Sequence, residues 1–162
     1  MCVNQALAQQ QAYTGPVADH FLQLRVIYKE LPNLIELGIR VAYGEWCAAS
    51  TAYVSPLFPA ESGEAILRWV KTPSVPLNIG AGTDTGIGWM ALQFYTIDRA
   101  GHARCAIKLA TKTRTDGPRL AETSRFAIEL PSELGLIECF GKECIALGSD
   151  FTREARLTVL PI

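Results

Sequence analysis

Apolar and polar residues alternate in several short segments of the chain, which is the pattern of half-buried β-strands. Residues 37–54 alternate on both sides of Gly44-Glu45 and predict a hairpin with a tight turn. Residues 89–111 predict a second hairpin, and residues 126–130 predict a further strand. The tail is strand-like over residues 157–160. The pattern therefore predicts antiparallel strands joined by short turns.

One segment fits two patterns. Between Val17 and Leu31 the apolar residues follow a helical 4-3-4-3 spacing, but residues 22–28 also alternate as in a strand. The β-branched and aromatic content favours a strand over residues 21–29. A helix remains the alternative for this segment.

Two segments have helical spacing only. In residues 58–71 the apolar positions share one face, and glutamates precede the basic residues as the helix dipole favours. In residues 132–147 a second apolar face is formed by Ile137, Phe140, Cys144 and Leu147. Single helices between runs of hairpin-linked strands favour an α+β fold. We predict a single antiparallel sheet of about five to six strands, with the two helices packed on it.

Length and composition indicate one domain. A chain of 162 residues with 49% apolar and 19% charged residues can bury one ordinary core. We expect a flexible leader over residues 1–16, a single domain over residues 17–162, and no internal repeat. The net charge of −1 gives no basic field for a nucleic acid. No segment has the pattern of a signal peptide or a membrane span, so we expect a cytoplasmic protein without a membrane partner.

The five cysteines are irregularly spaced and form no CxxC pair. Structural zinc sites need four soft ligands in close pairs, so we expect no metal. Cys105 and Cys139 lie among apolar neighbours and are predicted to be core residues. Reduced thiols fit a cytoplasmic protein.

The closely spaced glycines of residues 77–88 are similar to those of a loop that binds a nucleotide or S-adenosylmethionine. Such a loop works between a strand and a helix N-terminus. Here the upstream segment is short and contains a proline, and the residues after it predict a strand. We therefore interpret this segment as a connector, and we expect no cofactor.

Possible catalytic groups are few. His102 follows a turn that begins at Asp98, and a general base needs such a carboxylate and a nucleophile nearby. No serine or cysteine lies in a recognisable nucleophile motif. The alternative is a small α+β ligand-binding protein or enzyme with a pocket near residues 80–102, where Asp84, Asp98 and His102 would meet.

Two stretches carry a resemblance to a known class of proteins. The first runs from Leu31 through Gly44-Glu45-Trp46 to Pro56, and the second joins Asp98–Arg104 to the segment 126–140. In size, element order and aromatic-rich strands, residues 21–147 resemble small bacterial immunity proteins of polymorphic or contact-dependent toxin systems.

The resemblance implies a protein that neutralises a cognate toxin by binding it and needs no catalytic residues. Several such proteins are strongly acidic because their toxins are basic nucleases, whereas this chain is nearly neutral, so the toxin's chemistry stays open. For the surface that binds the toxin we predict Glu45, Trp46, Asp84 and Trp89, because aromatic side chains at strand ends are either core residues or partner anchors. An exposed sheet edge also makes a homodimer possible.

Overall fold

The computed structural model describes residues 20–83, 88–112 and 123–161. The predicted leader and Asp84 lie outside these residues. The described chain has, in order, β1 (Phe21–Glu30), β2 (Leu34–Tyr43), β3 (Trp46–Val54), α1 (Phe58–Lys71), β4 (Leu77–Gly82), β5 (Gly88–Thr96), β6 (His102–Lys112), β7 (Thr123–Glu133), α2 (Leu134–Ser149) and β8 (Glu154–Thr158).

The strands form two antiparallel sheets of four strands each. The first sheet has the order β3-β2-β1-β8, and the second sheet has the order β4-β5-β6-β7. The α+β class with antiparallel pairing is thus confirmed, whereas the single sheet of five to six strands is wrong. Each sheet consists of three consecutive strands and one more: β4, which was not predicted, pairs with β5, and β8, which was predicted over residues 157–160, pairs with β1.

The elements that the sequence predicted are present, but β7 is longer than the predicted residues 126–130, and β8 begins and ends earlier than the predicted residues 157–160. Residues 21–30 form a strand, and the helix predicted for residues 58–71 has those bounds. The second helix begins and ends two residues later than predicted. Residues 77–82 of the glycine-rich segment form β4, so interpreting the whole segment as a connector is wrong. The strand forms because the backbone of β4 pairs with β5 along its whole length, which does not need large side chains.

The two halves of the described chain repeat one arrangement. The order β1-β2-β3-α1-β4 is followed by β5-β6-β7-α2-β8, and the last strand of each half pairs with the first strand of the other half. The registers repeat as well, since Leu24 faces Ile39 in the first half and Leu92 faces Ile107 in the second. The expectation of no repeat is therefore wrong for the structure, although the two halves share few identical residues.

The two helices cross at equivalent glycines. The buried positions of α1 are Pro59, Ser62, Gly63, Ile66 and Trp69, and those of α2 have the same spacing at Ile137, Phe140, Gly141, Cys144 and Leu147. A Cβ at Gly63 would overlap the carbonyl oxygen of Gly141, and a Cβ at Gly148 would lie 2.7 Å from that of Ala60. The helices therefore run antiparallel and lie closer together than larger residues would permit.

One core joins both sheets and both helices. At its centre the ring of Phe94 lies 6.2 Å from that of Trp69 and 6.3 Å from that of Phe140. A buried hydrogen bond also links the sheets, because Ser50 Oγ on β3 donates to the carbonyl oxygen of Ala110 on β6 at 2.9 Å.

The two cysteines predicted for the core differ. Cys105 is buried, but Cys139 is exposed on α2, so that prediction is wrong. The apolar face of α2 turns Cys144 inward and therefore turns Cys139 towards solvent.

Candidate functional site

The residues predicted to bind a partner lie on different sheets. Glu45 and Trp46 are exposed at the turn between β2 and β3, where the Trp46 side chain is 68% exposed. Trp89 is half-buried at the start of β5, opposite Gly82 and Ala110. Asp84 lies outside the described residues. Trp46 is therefore an exposed residue and not part of the core.

Asp98 and His102 come together as the sequence suggested. His102 Nδ1 lies 2.5 Å from Asp98 Oδ2, while Asp98 Oδ1 accepts hydrogen bonds from the backbone N–H groups of Ala100 (2.8 Å) and His102 (3.2 Å). The hydrogen bond with His102 lowers the pKa of the Asp98 carboxyl, and the same bond and the charge of Asp98 raise the pKa of His102. Both side chains are solvent-exposed. These contacts hold the turn between β5 and β6 in shape and place a protonatable imidazole on the surface.

Two neighbouring depressions lie on the outer face of the second sheet. One of about 380 Å³ lies between residues 73–76 and the side chains of Gln93, Tyr95 and Glu129. The other, of about 300 Å³, contacts Gly80, Trp89 and Lys108, and both depressions include Gln93 and Ala106. Small residues on adjacent strands leave this face hollow.

Large apolar side chains are exposed mainly on the first sheet. Of eight such side chains among the described residues, five lie in or just after the strands at the end of that sheet where β1 turns into β2 and β3 ends: Ile27, Tyr28 and Tyr53 in the strands, and Leu31 and Leu57 in the segments that follow β1 and β3. We call this group the apolar end. Clustered exposed apolar residues mark sites of protein–protein contact more often than scattered ones do.

A bulge in β1 gives the apolar end its shape. The register between β1 and β2 shifts between Val26 and Tyr28, and Ile27 is the extra residue. Its side chain extends over Gly38 on β2, where a Cβ would lie 3.0 Å from Ile27 Cγ2. Gly38 therefore provides the space that allows Ile27 and Tyr28 both to lie on the outer face.

The residues of the apolar end were not singled out in the sequence. The alternation in β3 could have predicted that Tyr53 is exposed, since Ala52 and Val54 are buried and Tyr53 lies on the opposite face of the strand. The bulge at Ile27 had no signal of its own, because a bulge is defined only by the register with a partner strand.

Taken together, these features define an α+β protein of two structural repeats, in which the last strand of each repeat joins the sheet of the other and a cluster of apolar side chains is exposed. Comparisons of the chain with protein-family models, with curated proteins and with solved structures found no significant match. No helix among the described residues is long and apolar enough to cross a bilayer. Within the ranges 20–83, 88–112 and 123–161, no group of three or more His, Cys, Asp or Glu side chains is arranged to hold a metal ion.

Proposed function

We propose that this protein is a cytoplasmic interaction module of the immunity type, which neutralises a cognate toxin by binding it. The observation that supports the proposal is the apolar end of the first sheet. Tyrosine is enriched among the residues that dominate binding energy, and Tyr28 and Tyr53 are 51% and 47% exposed there. The two sheets pack around one shared core, so this surface is supported by buried residues, and a preorganised surface lowers the entropic cost of binding.

The test is co-expression with the product of the adjacent reading frame. We expect the wild-type chain to restore growth when that product is toxic and to bind it with a Kd below about 1 µM, which corresponds to roughly 8 kcal/mol. Replacing a central tyrosine of an interface costs about 2 kcal/mol or more, so Tyr53→Ala should weaken binding roughly 30-fold or more. If the neighbouring product is neither toxic nor bound, the immunity proposal fails.

A matched variant distinguishes the two surfaces of the first sheet. Trp46→Ala removes the exposed aromatic side chain that the sequence suggested, at the opposite end of the sheet from Tyr53. We expect this variant to bind the toxin nearly as well as the wild type. Loss of binding in Trp46→Ala with retention in Tyr53→Ala would move the interface to the turn between β2 and β3.

A small-molecule site is the second candidate, and the depressions on the second sheet favour it. Together they offer a hollow within the size range of ligand pockets. Filling it with Ala91→Leu or Ala106→Leu should abolish any ligand-induced rise in Tm seen when the wild-type protein is screened against metabolites. A screen without any such rise in the wild type would exclude this candidate for the compounds tested.

A further inference from the structure

Glu36 lies between two tyrosines on the outer face of the first sheet. Tyr28 pairs with Glu36 across β1 and β2, and Glu36 pairs with Tyr53 across β2 and β3, so the three side chains form one row. Residues directly opposite each other have Cβ atoms about 5 Å apart, which separates the two tyrosines by about 10 Å. Ile35 and Leu37 are fully buried, so Glu36 projects away from the core.

The Glu36 carboxylate has no counterion within the described chain. Among the described residues it forms neither an ion pair nor a hydrogen bond. Arg25 is the cation of the neighbouring row, where its Cγ lies 3.8 Å from the Cβ position of Gly38, and it does not pair with Glu36. Glu36 is half-buried, and it is the central residue of the row. A carboxylate that is partly removed from water gains most from a charged hydrogen-bond donor.

We propose that the row Tyr28–Glu36–Tyr53 binds an arginine side chain of the partner protein. A guanidinium is planar, so it can stack on a tyrosine ring while it donates two hydrogen bonds to one carboxylate. A lysine ammonium can make only the point-charge contact. The apolar side chain of Ile27 extends over Gly38 in the adjacent row, and apolar surface beside the row limits the access of water, which strengthens both contacts.

This inference specifies the partner chemistry of the proposed function, and it can be tested without the partner. The probe is an acetylated Leu-Arg-Leu amide peptide, titrated into isotope-labelled full-length protein and followed by NMR. The comparison probe contains citrulline in place of arginine, which keeps the planar shape and removes the charge. We expect saturable shifts at Tyr28, Glu36 and Tyr53 with the arginine peptide, and at least tenfold weaker binding of the citrulline peptide.

Two variants accompany the titration. Glu36→Gln keeps the size of the side chain and removes the charge, so binding of the arginine peptide should weaken at least tenfold, as expected for loss of a charged hydrogen bond. Glu61→Gln removes an exposed carboxylate of α1 and should bind like the wild type. Equal binding of the two peptides, unchanged binding by Glu36→Gln, or the absence of saturable shifts at the row would each overturn the inference.

The inference and the proposed function can fail separately. If the arginine peptide binds at the row but the neighbouring gene product is not bound, the arginine site stands and the immunity proposal falls. If the toxin is bound and Glu36→Gln binds it as tightly as the wild type, the immunity proposal stands and the arginine site falls.

Discussion

The closest approach of the two helices provides the sharpest test of the fold. Gly63→Ala would place a methyl group against the carbonyl oxygen of Gly141, 2.7 Å from Ile145 Cγ1 and 2.9 Å from the Ile145 backbone nitrogen. Favourable carbon contacts begin near 3.5 Å, so α1 and α2 must separate by about 1 Å. Because two of the three neighbouring atoms belong to the backbone, a side-chain rotation cannot relieve the contact.

The expected cost follows from two opposing effects. Overpacking a core costs about 1–3 kcal/mol, whereas replacing glycine by alanine in a helix returns up to about 1 kcal/mol. We therefore expect Gly63→Ala to lower the free energy of unfolding by about 1–2 kcal/mol. In a domain of this size the Tm should fall by roughly 2–4 °C for each kcal/mol.

Two other glycines provide controls in the same assay, which is urea unfolding followed by circular dichroism. Gly135 on α2 has nothing within 4 Å of its Cβ position, so Gly135→Ala should be neutral or stabilising by up to about 1 kcal/mol. At Gly141 the nearest atom is the Ile66 Cγ2 methyl at 2.9 Å, which can move, so Gly141→Ala should cost less than Gly63→Ala. A Gly63→Ala variant as stable as the wild type would refute the close helix contact.

Three further predictions concern single side chains. Asp98→Asn should lower the pKa of His102 in an NMR titration, because the Asp98 carboxylate raises that pKa. In the wild type the pair stabilises the fold at pH values above the lowered pKa of Asp98, and this contribution is lost as the pH rises through the raised pKa of His102. Ser50→Ala should cost about 1–3 kcal/mol in urea unfolding because its acceptor carbonyl loses a buried donor, whereas Ser132→Ala should be neutral or stabilising, since no described residue accepts from that buried hydroxyl. Cys139 should react with a thiol reagent in the folded protein, and the two buried thiols of the core should react only on unfolding.

The sequence predicted the elements in which large apolar residues recur at the spacing of a helix or a strand. The α1 face and the hairpin of β5 and β6 are examples, because each buries large apolar residues at regular spacing. The strand β4 could not be found in that way, since Gly80 and Gly82 contribute almost no side chain and Pro73 and Pro76 precede them. Its pairing is a property of the backbone, which composition does not report.

The division into two sheets was hidden for a related reason. The alternation of an antiparallel strand in the sequence is the same whether the strands form one sheet or two. β4 and β8 each follow a helix and pair with the first strand of the other half, and the alternation does not specify that partner. The repeat was hidden as well, because packing conserves which positions are buried and not which residues occupy them. Ile66 and Cys144 occupy equivalent buried positions, and so do Trp69 and Leu147.

The repeat also explains why an arginine would choose one face of the molecule. The row equivalent to Tyr28–Glu36–Tyr53 in the second half runs across β5, β6 and β7 as Tyr95, Arg104 and Pro131. One tyrosine is kept there, but the central carboxylate is replaced by a guanidinium and the second ring by a proline. The strand pairing is shared, but the side chains differ, and the bulge at Ile27 in β1 has no counterpart in β5. If the row binds an arginine of a partner as proposed, that cation is attracted to the first sheet and repelled from the same place on the second, so the two like halves present only one site for it.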